Sequence, residues 1–345
     1  MDINKLMRTM YMGTGEQKRE SIYDVIARSI MEMDIPEEEK NQRIAKLMST
    51  KKLHVNILLA GATGSGKSST INAMFNTEVA EVGVGVDPET DSIECYHLDN
   101  LSIWDTPGLG EGEKEDLKHM KMIEQKLEET DVNGDPLIDL VLVVLDASSK
   151  DLGTSYRLIN EVIIPHMHER AYSQILIGLN QADVAMKGKH WDAERNAPDA
   201  ILQEFLQEKA DSVQRRIFAE TELSIRPVIY CAGYKEAGME QCKPYNLTKL
   251  LYMIVKSIPA NKRLLVADNI NDDGDNWEYD DRKGDYKEAV QKSFFESIGI
   301  SIGECAEAGA EIGEAVLGVP GKGIGLVVGG VVGAVTGFFK AIFNG

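Results

Sequence analysis

The chain has 345 residues, enough for one large domain with appendages or for two domains, and its composition is that of an ordinary folded protein. With 37 Lys and Arg against 56 Asp and Glu the formal net charge is −19, which disfavours broad attraction to nucleic acid, the ribosome or an anionic lipid surface, since all of these need clustered cations. Cys95, Cys231, Cys242 and Cys305 are widely spaced, without metal-type pairing and with no signal peptide before them, so reduced thiols in a cytoplasmic protein are expected.

Residues 1–52 read as helical. Ile22, Val25, Ile26 and Ile30 share one helical face, and Asp34-Ile35-Pro36 followed by Glu37, Glu38 and Glu39 places a proline and acids in a first turn. From Leu53 strand and helix patterns alternate. Strands are expected at 53–60, 92–98, 101–104, 137–145, 174–179 and 227–230, with helices at 67–75, 113–129, 156–163, within 192–219 and at 246–257. The run Leu140-Val141-Leu142-Val143-Val144-Leu145 is that of a strand buried on both faces. The predicted class is α/β, a mostly parallel central sheet with helices on both faces, whose ligands bind in loops beyond the carboxyl ends of the strands.

Those loops carry the chemistry. Gly61-Ala62-Thr63-Gly64-Ser65-Gly66-Lys67-Ser68 follows a strand and opens a helix, the pattern of a phosphate-binding loop. Glycines let backbone N–H groups turn inward around a polyphosphate, and the helix start adds its positive end. The expected nucleotide contacts are Gly61, Thr63, Gly64, Ser65, Gly66, Lys67, Ser68 and Ser69, with Lys67 reaching the outer phosphates and Ser68 ligating Mg2+. Asp105-Thr106-Pro107-Gly108 follows the next strand; Asp105 can hold the magnesium through water and the Gly108 amide can meet a terminal phosphate. Thr90, the only threonine between Glu78 and Leu101, would complete the metal shell. In Asn180-Gln181-Ala182-Asp183 a carboxylate can accept hydrogen bonds from the ring N–H and exocyclic amine of guanine, a donor pair that adenine lacks. Cys231-Ala232-Gly233 could offer a backbone N–H to the guanine oxygen.

The chain then changes character. Residues 263–286 read as an acidic linker anchored by Trp277, and 287–345 as a helical segment or hairpin, broken at Gly318-Val319-Pro320-Gly321. Small residues recur every fourth position there, including Gly325, Gly329, Gly333 and Gly337. Each helical glycine costs about 1 kcal/mol against alanine, so the series predicts a packing reason, such as close approach of another helix. Two arrangements compete for 318–345: packing against the rest of the protein, or entry into a membrane.

Motif order and spacing over residues 53–258 resemble a translation-factor-type P-loop GTPase of the Era branch. Within that branch the chain is similar to the bacterial YfjP and YkfA group of prophage-associated GTPases, and distantly to interferon-inducible immunity GTPases. The resemblance implies GTP binding and Mg2+-dependent hydrolysis to GDP and phosphate, with Lys67, Ser68, Thr90, Asp105, Gly108, Asn180 and Asp183 in matching positions and Lys67, Thr90 and Gly108 serving catalysis. Three departures stand out. Leu109 takes the place of a water-orienting glutamine, so slow turnover is expected, with the water positioned by backbone, by Glu111 or by a second copy across the nucleotide. Gln181 replaces a lysine that covers the guanine ring and steadies the phosphate loop. Gly64 stands where potassium-activated relatives carry asparagine. The expected role is a regulatory switch with a GTPase domain at 53–262; the alternatives are a membrane-associated, dynamin-like or immunity-GTPase-like assembly protein, and a pseudo-GTPase binding module.

Overall fold

The computed structural model describes residues 20–75, 93–233, 242–302 and 326–344. Thr90, Cys305, the 318–321 break and most of the glycine series lie outside them.

Helix α1 (Ile22–Met31) starts where Ser21 accepts a hydrogen bond from the Tyr23 amide, and it buries Ile22, Ile26 and Ile30 on one face. Helix α2 (Glu37–Thr50) begins after Pro36 with three acids in its first turn. Strand β1 (Val55–Gly61) leads into α3 (Lys67–Met74); β2 (Glu94–Leu98) and β3 (Leu101–Asp105) precede α4 (Glu113–Glu128). Strand β4 (Leu140–Asp146) is followed by helix α5 (153–167), which passes through a π-helical turn at Leu158–Ile163. Then come β5 (Ile175–Asn180), α6 (Ala200–Thr221), β6 (Val228–Ile229) and α7 (Leu247–Ser257). Helices α8 (Tyr286–Ile302) and α9 (Leu326–Asn344) close the described chain.

The sheet order is β2-β3-β1-β4-β5-β6. Only β2, at one edge, runs antiparallel to its neighbour; the remaining pairs are parallel. Because side chains alternate across a strand, β1 sends Ile57 and Leu59 to one core and Leu58 and Ala60 to the other, and β4 divides Leu140, Leu142 and Val144 from Val141, Val143 and Leu145 in the same way. One face is covered by α4, α5 and α6; the other by α3 and α7, with α1, α8 and α9 beyond. Helix α6 is amphipathic: Leu202, Leu206, Ala210, Val213 and Ile217 are buried.

Between 263 and 286 the chain is pinned to the domain. Asp268 accepts from the Ser21 hydroxyl and the Ile22 amide, both at 2.6 Å, Ile270 bridges Phe75, and Trp277 is 1% exposed. Helix α9 packs on α1 and α8 through Val331, Val335, Phe339 and Ile342, and Phe339 stacks on Phe294 at 4.9 Å between centroids. Gly333 and Gly337 do not serve this contact. Gly333 and Gly337 face open space, with nothing within 4 Å of where a Cβ would stand, so at these two positions the expected close helix approach is not met. The seam is instead filled by large side chains on the opposite face. No described helix is long and apolar enough to cross a membrane.

Because Phe339 is fully buried among aromatic rings, Phe339→Ala should destabilise the fold by about 3–5 kcal/mol, the usual cost of emptying an aromatic site. Denaturant unfolding followed by intrinsic fluorescence checks this; a midpoint unchanged from wild type would mean that α9 contributes nothing to the core.

Candidate functional site

The loop between β1 and α3 turns through left-handed backbone at Gly64 and Gly66, with φ of 73° and 90°. Gly66 has a second constraint. A Cβ there would stand 2.2 Å from Asn180 Nδ2, so glycine alone allows the loop to approach the end of β5. Lys67 follows at the first turn of α3, 8% exposed, with Nζ 3.4 Å from the carbonyls of both Gly61 and Ala62. Burial pushes its pKa down, against the raising effect of Asp105 and Glu111.

Asp105 closes β3 directly beside this loop. Its Oδ2 accepts from the Ser68 hydroxyl at 3.2 Å, while Oδ1 is buried without a hydrogen-bond partner. Burial raises its pKa, partly offset by Lys67 and by the Ser68 hydrogen bond. A hydroxyl and a buried, half-satisfied carboxylate are the hard oxygen donors that Mg2+ takes, so the residues present fit that ion. A bound magnesium would neutralise phosphate charge and polarise the terminal phosphoryl group. Since the ion requires the ionised carboxylate, acidification should weaken Mg2+-dependent nucleotide binding, beginning at a higher pH than for an exposed aspartate. Titrating Mg2+ against labelled GDP at falling pH checks this; Asp105→Asn should remove most of the metal dependence and flatten the profile.

The residues after Asp105 lie against the phosphate loop. The Thr63 amide donates to the Leu109 carbonyl at 2.9 Å and the Leu109 amide to the Gly61 carbonyl at 3.3 Å. A Cβ on Gly108 would stand 2.6 Å from Thr63 Cα and 2.7 Å from Thr63 N, so this glycine is required by close approach. The Leu109 side chain is 1% exposed, in the core cluster that includes Met120 and Ile123 of α4. Glu111, by contrast, accepts from the Thr63 hydroxyl at 2.9 Å.

Two residues that sequence reading missed hold this segment. Asp116 accepts from the Gly110 amide at 2.7 Å, and His119 Nδ1 lies 2.8 Å from the Gly108 carbonyl, the imidazole itself being buried. Asp116 and His119 sit one turn apart on the same helix, next to the buried Met120 and Ile123. That spacing was the available signal.

At the other end of the site, Asn180 is a brace. Its Nδ2 donates to the Ser65 carbonyl at 2.9 Å and its Oδ1 accepts from the Ala232 amide at 3.0 Å, joining three loops through one buried side chain. Gln181, at φ 61°, donates from Nε2 to the Gly64 carbonyl at 2.6 Å and so steadies the phosphate loop by a neutral hydrogen bond. Tyr230, fully buried, shares a 2.8 Å hydroxyl contact with Thr70 and was also missed.

Beyond the brace lies a cavity of about 230 Å³ lined by Gly66, Ser69, Asn180, Gln181, Asp183 and Cys231, with Val184, Ala232 and Gly233 completing it. The Cys231 thiol is pushed well up, first by burial and then by the neighbouring Asp183 carboxylate. The structure thus gathers Gly61, Thr63, Gly64, Ser65, Gly66, Lys67, Ser68, Asp105 and Gly108 at one end, and Ser69, Asn180, Gln181, Asp183, Cys231 and Ala232 at the other.

Residues 56–181 match a protein family described as 50S ribosome-binding GTPase. Among solved structures, a dimerization-deficient mutant of Toc33 from Arabidopsis thaliana is similar at 18% identity, covering 63% of this chain and 87% of that one, with a TM-score of 0.40. The bacterial dynamin GTPase LeoA from ETEC is similar at 16% identity over 87% of this chain and 48% of that one, TM-score 0.37. A probable GTP-binding protein engB is similar at 16% identity over 59% of this chain and 98% of that one, TM-score 0.33. No curated protein matches. Sheet order and loop geometry make the centre of this chain an α/β fold with a glycine-turned loop between its first strand and the following helix, and residues 56–181 of it are similar to that GTPase family.

Proposed function

We propose that this protein binds GTP with Mg2+, hydrolyses it slowly to GDP and phosphate, and acts as a regulatory switch. One observation carries the reading: Lys67, Ser68 and Asp105 gather at the phosphate loop, and a carboxylate, Asp183, lines a cavity that the neighbouring loop residues Gly66 and Ser69 also line. An aspartate there selects guanine because it can accept from both donors on that base edge. Thr90, with Ser68 and Asp105, is assigned to the metal shell, and the GTPase domain to residues 53–262, with helical segments at 1–52 and 287–345 joined to it through 263–286.

Slow turnover follows from Leu109. Its side chain is committed to the core, so it offers the attacking water nothing. Glu111, held over the phosphate loop by Thr63, or a second copy of the chain across the nucleotide must supply that group. The net charge of −19 argues against carrying the ribosome-binding part of the family description over to this chain.

Titration with labelled GTP, ATP and XTP tests base selection. Wild type should prefer GTP over ATP by a factor of about 100 or more, equivalent to roughly 3 kcal/mol. Asp183→Asn should move the preference to XTP; equal affinity of wild type for ATP and GTP would remove Asp183 from base recognition. Single-turnover hydrolysis at rising protein concentration tests chemistry. GDP formation accelerating with concentration supports help from a second copy, and no GDP at any concentration would leave a binding module without hydrolysis.

A further inference from the structure

We infer that the groove between residues 148–152, the 186–189 turn and helix α6 is a docking surface for an acidic segment of a partner protein that carries apolar anchor side chains. The groove, of about 1130 Å³, borders the GTPase site but is separate from it. Its walls hold Lys150, Lys187, Lys189, Lys209, Arg215 and Arg216 against only Glu208 and Asp211, a local reversal of sign in a chain of net charge −19. Asp211 is already engaged by Arg226 at 2.9 Å. Among the described residues, Lys150, Lys187, Lys189, Arg215 and Arg216 have no ion-pair partner.

The walls are built rather than incidental. The Lys209 ammonium donates to the carbonyls of Ala147 and Ser149, fixing the loop that carries Lys150. Arg216 lies over the Tyr156 ring at 5.3 Å. Met186 and Lys187 take consecutive left-handed conformations, φ 54° and 63°, which are unfavourable for side chains of their kind.

The floor decides the class of partner. Leu152, Tyr156, Met186 and Phe205 line it, and Phe205 is 36% exposed although it is apolar. Apolar anchors in a floor ringed by cations suit a peptide with Asp or Glu flanking Leu or Phe. A nucleic acid strand needs an unbroken basic track, and here Glu208 interrupts it. A planar bilayer does not enter a concave groove.

The test is selection of a random peptide library on the full-length protein, with counter-selection on Lys187→Glu/Arg216→Glu, a variant with opposite walls reversed in charge. Recovered peptides should be rich in Asp and Glu around Leu or Phe. Their affinity should fall by about tenfold or more on the charge-reversed variant, on Phe205→Ala and at raised salt. The variants should keep wild-type unfolding midpoints and GTP affinity. Recovery of no saturable binder, binders without acidic enrichment, equal affinity for the charge-reversed variant, or displacement by a single-stranded oligonucleotide or phosphatidylserine vesicles as effective as by the selected peptide would each overturn the proposal.

Discussion

Lys67→Ala should lower the affinity for both GTP and GDP by roughly 100-fold or more, on the order of 3 kcal/mol, while leaving the nucleotide-free protein as stable as wild type or slightly more so. The two halves have one cause. Lys67 is almost wholly buried, and without phosphate its ammonium has two carbonyls at 3.4 Å and the nearby Asp105 and Glu111 carboxylates to offset lost hydration. A lysine whose pKa is depressed in the fold is one whose charged form the fold disfavours, so at neutral pH it opposes folding until an anion arrives. A bound polyphosphate would supply that anion at short range in a site of low dielectric. Titration of labelled GDP together with denaturant unfolding of the free protein checks both signs. Lost affinity accompanied by a large loss of stability would make Lys67 a packing residue; unchanged affinity would remove it from the phosphate site.

How much of this site was legible depended on whether its residues were neighbours in sequence. The phosphate loop was, because its backbone shape is dictated by glycines within a few positions, and Gly64 and Gly66 do take left-handed φ. The parallel sheet was equally legible, since strands buried on both faces read as unbroken apolar runs such as 140–145. Asp116 and His119 were not, because their task is to hold Gly108 and Gly110, and only the folded loop brings those carbonyl and amide groups to the helix. Tyr230 and Thr70, which meet across 160 positions, left no trace in local pattern. At Gly333 and Gly337 the small-residue spacing misled for the opposite reason: spacing by four identifies a helix face but not what covers it, and there nothing stands within 4 Å. Helix α6 was legible as a helix, and within its wide polar surface five apolar residues at helical spacing mark the buried face.

Asn180 gives the sharpest distinction between recognising the base and building the pocket that recognises it. Its amide group makes two buried hydrogen bonds in opposite directions, donating to the Ser65 carbonyl and accepting from the Ala232 amide, so it fastens the phosphate loop to the loop lining the cavity. Asn180→Ala leaves both partners unpaired in a buried site. At about 1–3 kcal/mol for each unsatisfied group, the expected loss is roughly 2–6 kcal/mol, felt both in fold stability and as a nucleotide affinity reduced by about 100-fold or more. Asn180→Asp should be at least as damaging, because it keeps the acceptor for Ala232 but turns a carboxylate toward the Ser65 carbonyl. Gly66 makes relaxation difficult, since its α-carbon already stands against the Asn180 amide. The discriminating comparison is with Asp183→Asn, which should change base preference from guanine to xanthine without a comparable drop in unfolding midpoint. Measuring affinities for GTP and XTP beside thermal unfolding in both variants separates the roles. If Asn180→Ala kept wild-type stability and only exchanged one base for another, Asn180 would be a base-reading residue and the brace would have to lie elsewhere.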